Sequence, residues 1–220
     1  MLIFDNVSKV FRGAGAPHWV LKDTTIALPT DRPIGLLGRN GVGKSTMLKM
    51  IAGTQRPTRG EITTQARVSW PVGFAGAFHN DLTGAQNIRF VARLYSVDPA
   101  EALDFVSDFA ALGPHMHKPF RTYSSGMRAR LAFGVSMAIN FDLYLVDEVT
   151  AVGDATFRAK SAAYLKDRLQ HAGAIVVSHS LGLLRDLCDM GLVLDQGALT
   201  VHDSIDDALA HHLEVMAAAA

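Results

Sequence analysis

The feature that most constrains this chain is Gly38-Arg39-Asn40-Gly41-Val42-Gly43-Lys44-Ser45-Thr46, which fits the pattern G-x-x-x-x-G-K-[ST]. It follows a short buried-strand candidate, Pro33-Ile34-Gly35-Leu36-Leu37, and runs into a helical stretch from Lys44 to Ala52 that stops at Gly53. Strand, glycine-rich turn and helix in that order make a cradle for phosphate. Glycines let the backbone curl so that successive N–H groups point inward. The helix N-terminus adds the positive end of its dipole to the same anion. On this chemistry Lys44 bridges the β and γ oxygens of a nucleoside triphosphate, and the Ser45 hydroxyl joins the shell of a magnesium ion.

A loop of this kind needs a parallel sheet beneath it. Apolar strand candidates at 142–147, 174–178 and 191–195 alternate with helical segments, the pattern of a parallel α/β core. Residues 2–28 alternate β-rich segments with turn residues (Gly13, Gly15, Pro17) and predict an antiparallel starting sheet; 60–70 predict two more short strands. From about 83 to 140 the pattern is helical. Thr83-Gly84-Ala85-Gln86 has the form of a capping box, Asp98-Pro99 with Glu101 starts the next helix, and Gly113-Pro114 is expected to end it. The expected fold is α/β, a phosphate-loop core with an N-terminal antiparallel β subdomain and a helical lobe inserted at about 83–140. No internal repeat divides the chain, and 1–220 is expected to form one domain.

Composition narrows the function classes. Lys plus Arg and Asp plus Glu both number 21, so no overall cationic field draws the chain to nucleic acid. Cys188 has no partner cysteine within the chain, which fits a reducing compartment and a small buried apolar side chain. The start carries no secretory pattern, and no run approaches the roughly 18 apolar residues of a membrane-spanning helix. A transport role would require another polypeptide to form the pathway.

Phe141-Asp142-Leu143-Tyr144-Leu145-Val146-Asp147-Glu148 is an apolar strand ending in two carboxylates. Neighbouring residues of an extended strand point to opposite sides, so two different jobs are expected. Asp147 is expected to accept hydrogen bonds from magnesium-bound water, and Glu148 to orient and polarise an attacking water as general base.

Between loop and acidic strand stand Tyr123-Ser124-Ser125-Gly126-Met127 and the helical Arg128-Ala129-Arg130-Leu131-Ala132-Phe133. Here the chain resembles the ABC ATPase family over nearly its whole length, the signature of that family having the general form L-S-G-G-Q. The resemblance implies ATP and Mg2+ as ligands and a homodimer with ATP at the interface. In it Ser124, Ser125 and Gly126 cover the γ-phosphate held by the opposite subunit. It further implies that Asp154 lies in the interface loop Val149-Thr150-Ala151-Val152-Gly153-Asp154, and that His179, after Ala174-Ile175-Val176-Val177-Ser178, is the switch histidine at the γ-phosphate. Phe11 falls where the family stacks an aromatic on adenine; Trp19 is the rival, and either could be core.

The pattern also departs from the family. The family's Q-loop glutamine is missing from 70–84; ungapped counting puts Phe74 there, so no magnesium ligand is assigned. Tyr123, Ser125 and Met127 replace Leu, Gly and Gln of the signature. The stretch ending in Leu82-Thr83-Gly84, the Tyr123–Met127 segment and the Val149–Asp154 loop together resemble bacterial polysaccharide exporters, capsular ones most closely. Teichoic acid and O-antigen exporters share much of this pattern, and the absence of an extra domain before Ala220 is expected to favour capsule over some O-antigen subunits. The resemblance implies an integral membrane permease partner, a polysaccharide cargo not bound by this chain, no nucleic acid, and a peripheral place on the cytoplasmic face of the inner membrane. An ATPase acting on nucleic acid is the rival from another class. His115-Met116-His117 is expected to be a surface turn, His211-His212 a solvated pair on a terminal helix, and 217–220 a fraying tail.

Overall fold

The computed structural model describes residues 1–13, 16–148 and 154–218, without the Ala77 side chain. The chain divides into two compact units.

The first unit holds 1–71, 141–148 and 169–220. Strands β1 (Leu2–Phe11), β2 (His18–Leu28) and β4 (Arg59–Thr64) form an antiparallel sheet in the order β2-β1-β4. Leu2, Phe4 and Val7 of β1 are buried, so its alternation turns an apolar face inward, with a register shift between Phe4 and Val7. A second sheet runs β5-β6-β7-β3-β8-β9, from β3 (Pro33–Leu37), β5 (Val68–Pro71), β6 (Leu143–Asp147), β7 (Gly173–Val177), β8 (Met190–Asp195) and β9 (Ala198–His202). β3, β5, β6, β7 and β8 pair in parallel, and β3, β6 and β7 are near-continuous apolar runs, as strands covered on both faces must be. Helix α1 (Lys44–Ile51) buries Met47, Leu48, Met50 and Ile51 in the core that also takes Phe4, Leu36, Leu145 and Ile175. Each such side chain contributes about 1.5–3 kcal/mol by leaving water.

β9 is an addition to the expected elements. Gln196 (φ 44°) and Gly197 (φ 86°) make a two-residue hairpin that turns the chain back antiparallel to β8. Helices α6 (Leu181–Leu187) and α7 (Ile205–Ala218) complete the unit.

The second unit takes 72–140 and 149–168. α2 (Gly84–Leu94) starts at the expected capping box: Gln86 N–H donates to Thr83 Oγ1 (3.1 Å), and Thr83 N–H donates to Gln86 Oε1 (2.8 Å). α3 (Pro99–Ala110) starts on Asp98, whose Oδ1 accepts from the N–H groups of Ala100 and Glu101. It ends earlier than predicted. Ala111, at φ 49°, closes it, and Gly113-Pro114 opens a short 3-10 turn (Gly113–His117) that buries Met116. α4 (Ser125–Ala138) and α5 (Ala155–Arg168) follow. The Phe109 ring stacks on Phe133 at 5.5 Å and meets Phe157 and Tyr164 edge-on, an aromatic core shared by α3, α4 and α5. Among the described residues no helix is long and apolar enough to cross a membrane.

Candidate active site

The glycine loop leaves the end of β3 and enters α1 with Gly43 at φ 120° as its cap. A side chain at 43 would also collide with β2, because a Cβ there would lie 2.5 Å from Val20 Cγ1. Only glycine meets both demands. Lys44 Nζ donates to the carbonyls of Gly38 (2.7 Å) and Arg39 (3.1 Å), so the lysine is folded back onto its own loop. Burial holds the Lys44 ammonium below the usual lysine value, against the opposing pull of the Glu148 and Asp147 carboxylates.

Both carboxylates line the same cleft, of about 390 Å3, together with Asn40, Gly41, Lys44, Ser45 and Thr46 of the loop, and with Val177 and His179. This corrects the expectation that strand alternation would send them to opposite sides. Asp147 is the last residue of β6, but Glu148 has left the extended conformation for φ 55°, with its N–H donating to Val177 O at 3.1 Å. A left-handed glutamate is strained by about 1–3 kcal/mol, and such strain gathers at functional sites. Glu148 Oε1 lies 2.7 Å from His179 Nε2.

A second cavity, of about 400 Å3, adjoins the loop through Arg39, Asn40, Gly41 and Val42. Pro17, His18, Trp19, Lys22, Asp195 and Gln196 form its other walls; Phe11 does not line it. The Phe11 ring instead carries Lys9 Nζ at 5.1 Å, and Trp19 carries Lys22 Nζ at 5.9 Å. His18 and Asp195 are additions to the expected set, because only the pairing of β1 with β2 and the β8–β9 hairpin bring them to the loop.

The second unit presents the remaining predicted residues. Ser124 caps α4, its Oγ accepting from Met127 N–H (3.3 Å), and Ser124 and Ser125 are exposed at that helix start, with Gly126 next to them. Tyr123, in the family's leucine position, is buried and donates its hydroxyl to His115 O at 2.7 Å. That hydroxyl passes so close to Gly84 that a Cβ there would lie 2.3 Å away, so Tyr123 and Gly84 depend on each other. Asp154 caps α5: Oδ1 accepts from Phe157 N–H at 2.8 Å, and Oδ2 pairs with Arg130. The Phe157 N–H, with Arg130 beside it, holds the Asp154 carboxyl below the usual range. The 149–153 part of its loop lies outside the described residues. Phe74 is half exposed, and Asn87 holds the loop near it by accepting from His79 N–H (2.8 Å). His211-His212 is not a solvated pair. His211 Nδ1 lies 2.9 Å from His202 Nε2, and His212 turns inward with its Nδ1 buried.

A glycine-rich loop between a buried parallel strand and a helix, facing two carboxylates at the end of another strand, defines a P-loop nucleoside triphosphatase. This chain belongs to the ABC transporter family, which matches residues 21–151, and with it to the ATP-hydrolysing cassettes of that family. It is 48% identical over 195 residues to the polysialic acid transport ATP-binding protein KpsT of Escherichia coli, covering 88% of this chain and 87% of that one. It is 40% identical over 212 residues to the capsule polysaccharide export ATP-binding protein CtrD of Neisseria meningitidis, covering 96% and 98%. Among solved structures, the ATP-binding cassette MJ0796, a dimer bound to ADP and Pi, matches with a TM-score of 0.77 at 19% identity over 93% of this chain and 99% of that one; this likeness is one of fold.

Proposed function

We propose that this chain is the ATP-hydrolysing subunit of a bacterial exporter of capsular polysaccharide, acting as a homodimer that holds ATP between its subunits. The observation that carries the proposal is the single cleft shared by Lys44, Ser45, Asp147, Glu148 and His179. The triphosphate lies along the N–H groups of Gly41 to Thr46, and Lys44 leaves the Gly38 and Arg39 carbonyls to meet the β and γ oxygens. Ser45 Oγ and Asp147 offer the oxygen donors that a hard divalent cation takes, and bound magnesium would neutralise charge on those phosphate oxygens. Glu148 draws a proton from water as that oxygen attacks the γ phosphorus; the bond to the β–γ bridging oxygen breaks and ADP departs. His179 orients the water and the γ-phosphate. The adenine lies against Trp19, which lines the adjoining cavity, in preference to Phe11.

Ser124, Ser125 and Gly126, at the start of α4, close over the γ-phosphate of the partner subunit, and Asp154 stands at the subunit boundary. The capsule and polysialic acid names of the relatives support polysaccharide as the cargo and a membrane permease as partner. The subunit then works peripherally, on the cytoplasmic face of the inner membrane. The test is Glu148→Gln. It should retain ATP binding, lose turnover and accumulate as an ATP-dependent dimer on size exclusion. A variant that turns over ATP normally and stays monomeric at saturating ATP would contradict the proposal.

A further inference from the structure

Successive residues of an α-helix point about 100° apart, so His211 and His212 of α7 cannot both follow its apolar face. That face buries Ile205, Ala208 and Leu209, and the next position on the same spacing is 212. His211 is taken up by His202. His212 continues the inward face, and its Nδ1 is buried without a hydrogen-bond partner among the described residues. A buried ring nitrogen left unpaired costs free energy, and native structures leave few such groups unexplained.

The same ring also borders open space. His212 walls a cavity of about 60 Å3 shared with Gly38, Lys44, Ser178 and His179, behind the phosphate loop. This volume has room for about two water molecules, and the polar walls give such water the partners it needs. Water held there would join the His212 ring to Lys44 and His179, which line the same cavity.

We propose that His212 is a positioning residue for hydrolysis, holding Lys44 and His179 in place through this cavity while its own ring is neutral. The inference rests on the ATPase function proposed above. Burial first, then the charges of Lys44 and His211, push the His212 imidazole below its usual value, which favours the neutral form. The titratable groups nearest it are Lys44 of α1, His179 after β7 and His211 on its own helix; His202 of β9 is bonded to His211, and Asp186 of α6 is exposed. β3 carries none, Asp195 of β8 lines the other cavity, and Arg185 of α6 is bonded to Asp206. Protonated His212 would set a second cation beside Lys44.

The test compares the full-length protein with His212→Ala and His212→Gln, measuring kcat, KM and thermal stability from about pH 5.5 to about pH 8.5, around the ordinary histidine value. His212→Ala should lose about tenfold or more in kcat while KM changes little. His212→Gln, neutral and able to bond to water in the cavity, should keep most of the activity above about pH 7. It should also lack the part of the acid decline that the parent shows below about pH 6.5. The same kcat and pH profile in all three proteins would overturn the inference. So would parallel losses of activity and thermal stability in both variants at every pH, which would make His212 a packing residue only. A parent protein no more active than Lys44→Ala would overturn the ATPase function itself, and the inference with it.

Discussion

His179 Nε2 stands 2.7 Å from Glu148 Oε1, so the histidine and the glutamate satisfy each other across the cleft. Both side chains are about half exposed (62% and 49%), so the contact adds little to stability by itself. Glu148 is held in a left-handed conformation with its carboxylate engaged. In the proposed hydrolysis, a water placed for attack shares that carboxylate with the histidine.

His179→Ala should therefore bind ATP nearly as the parent does while kcat falls by about 10²-fold or more. Steady-state kinetics beside equilibrium nucleotide binding separate the two effects. An unchanged kcat would remove His179 from the site.

Trp19 and Phe11 occupy adjacent strands but only Trp19 lines the cavity beside the loop. Trp19→Ala should weaken ATP binding by about 1–3 kcal/mol, the value of stacking a base on an aromatic ring. Phe11→Ala should leave it near the parent value. Titration with a fluorescent ATP analogue distinguishes them, and the reverse order would restore Phe11.

Gly84 and Tyr123 should fail together. Gly84→Ala drives a methyl to within 2.3 Å of the Tyr123 hydroxyl and about 3.0 Å of Met116 Sδ, and should cost about 1–3 kcal/mol as an overpacked site. Gly84→Ala with Tyr123→Phe should recover part of that loss in thermal unfolding. A double variant no better than the single one would mean that the Met116 side of the contact governs.

Burial, with the charge of Asp189 nearby, pushes the Cys188 thiol up to about 12. Below about pH 8.5 folded and unfolded chains both keep that proton. From there up to about pH 12 the unfolded chain loses it and the folded chain retains it, so stability declines as pH rises through that window. Iodoacetamide should accordingly label Cys188 slowly in the native protein and quickly in denaturant. Rapid labelling of the folded protein would put the thiol at the surface.

How far the sequence suffices follows from the range of each signal. The loop, the acidic strand end and the caps at Thr83 and Asp98 are written in spacings of a few residues, and these survive without any knowledge of the fold. The β8–β9 hairpin is legible in principle, since Gln196-Gly197 between two apolar runs is a turn signal, but a short strand with alternating exposure is weak beside it. Strand alternation misleads at Glu148 because the chain leaves the β region there, a change that no side-chain pattern announces. His212 escapes the sequence reading despite a clear sign. Extending the Ile205, Ala208, Leu209 spacing by one step places it inside, whereas a pair of adjacent histidines suggests solvent. Trp19, His18 and Asp195 converge only after three strands have paired, and that is beyond local reading.

One comparison bears on all of this most directly: ATP binding and hydrolysis by the parent and by Lys44→Ala, each as purified full-length protein with magnesium present. Removing the lysine that lines the cleft should weaken ATP binding by about tenfold or more and bring hydrolysis to background, as loss of a charge-assisted contact to phosphate requires. Binding and turnover equal to those of the parent would contradict a phosphate-binding role for the loop.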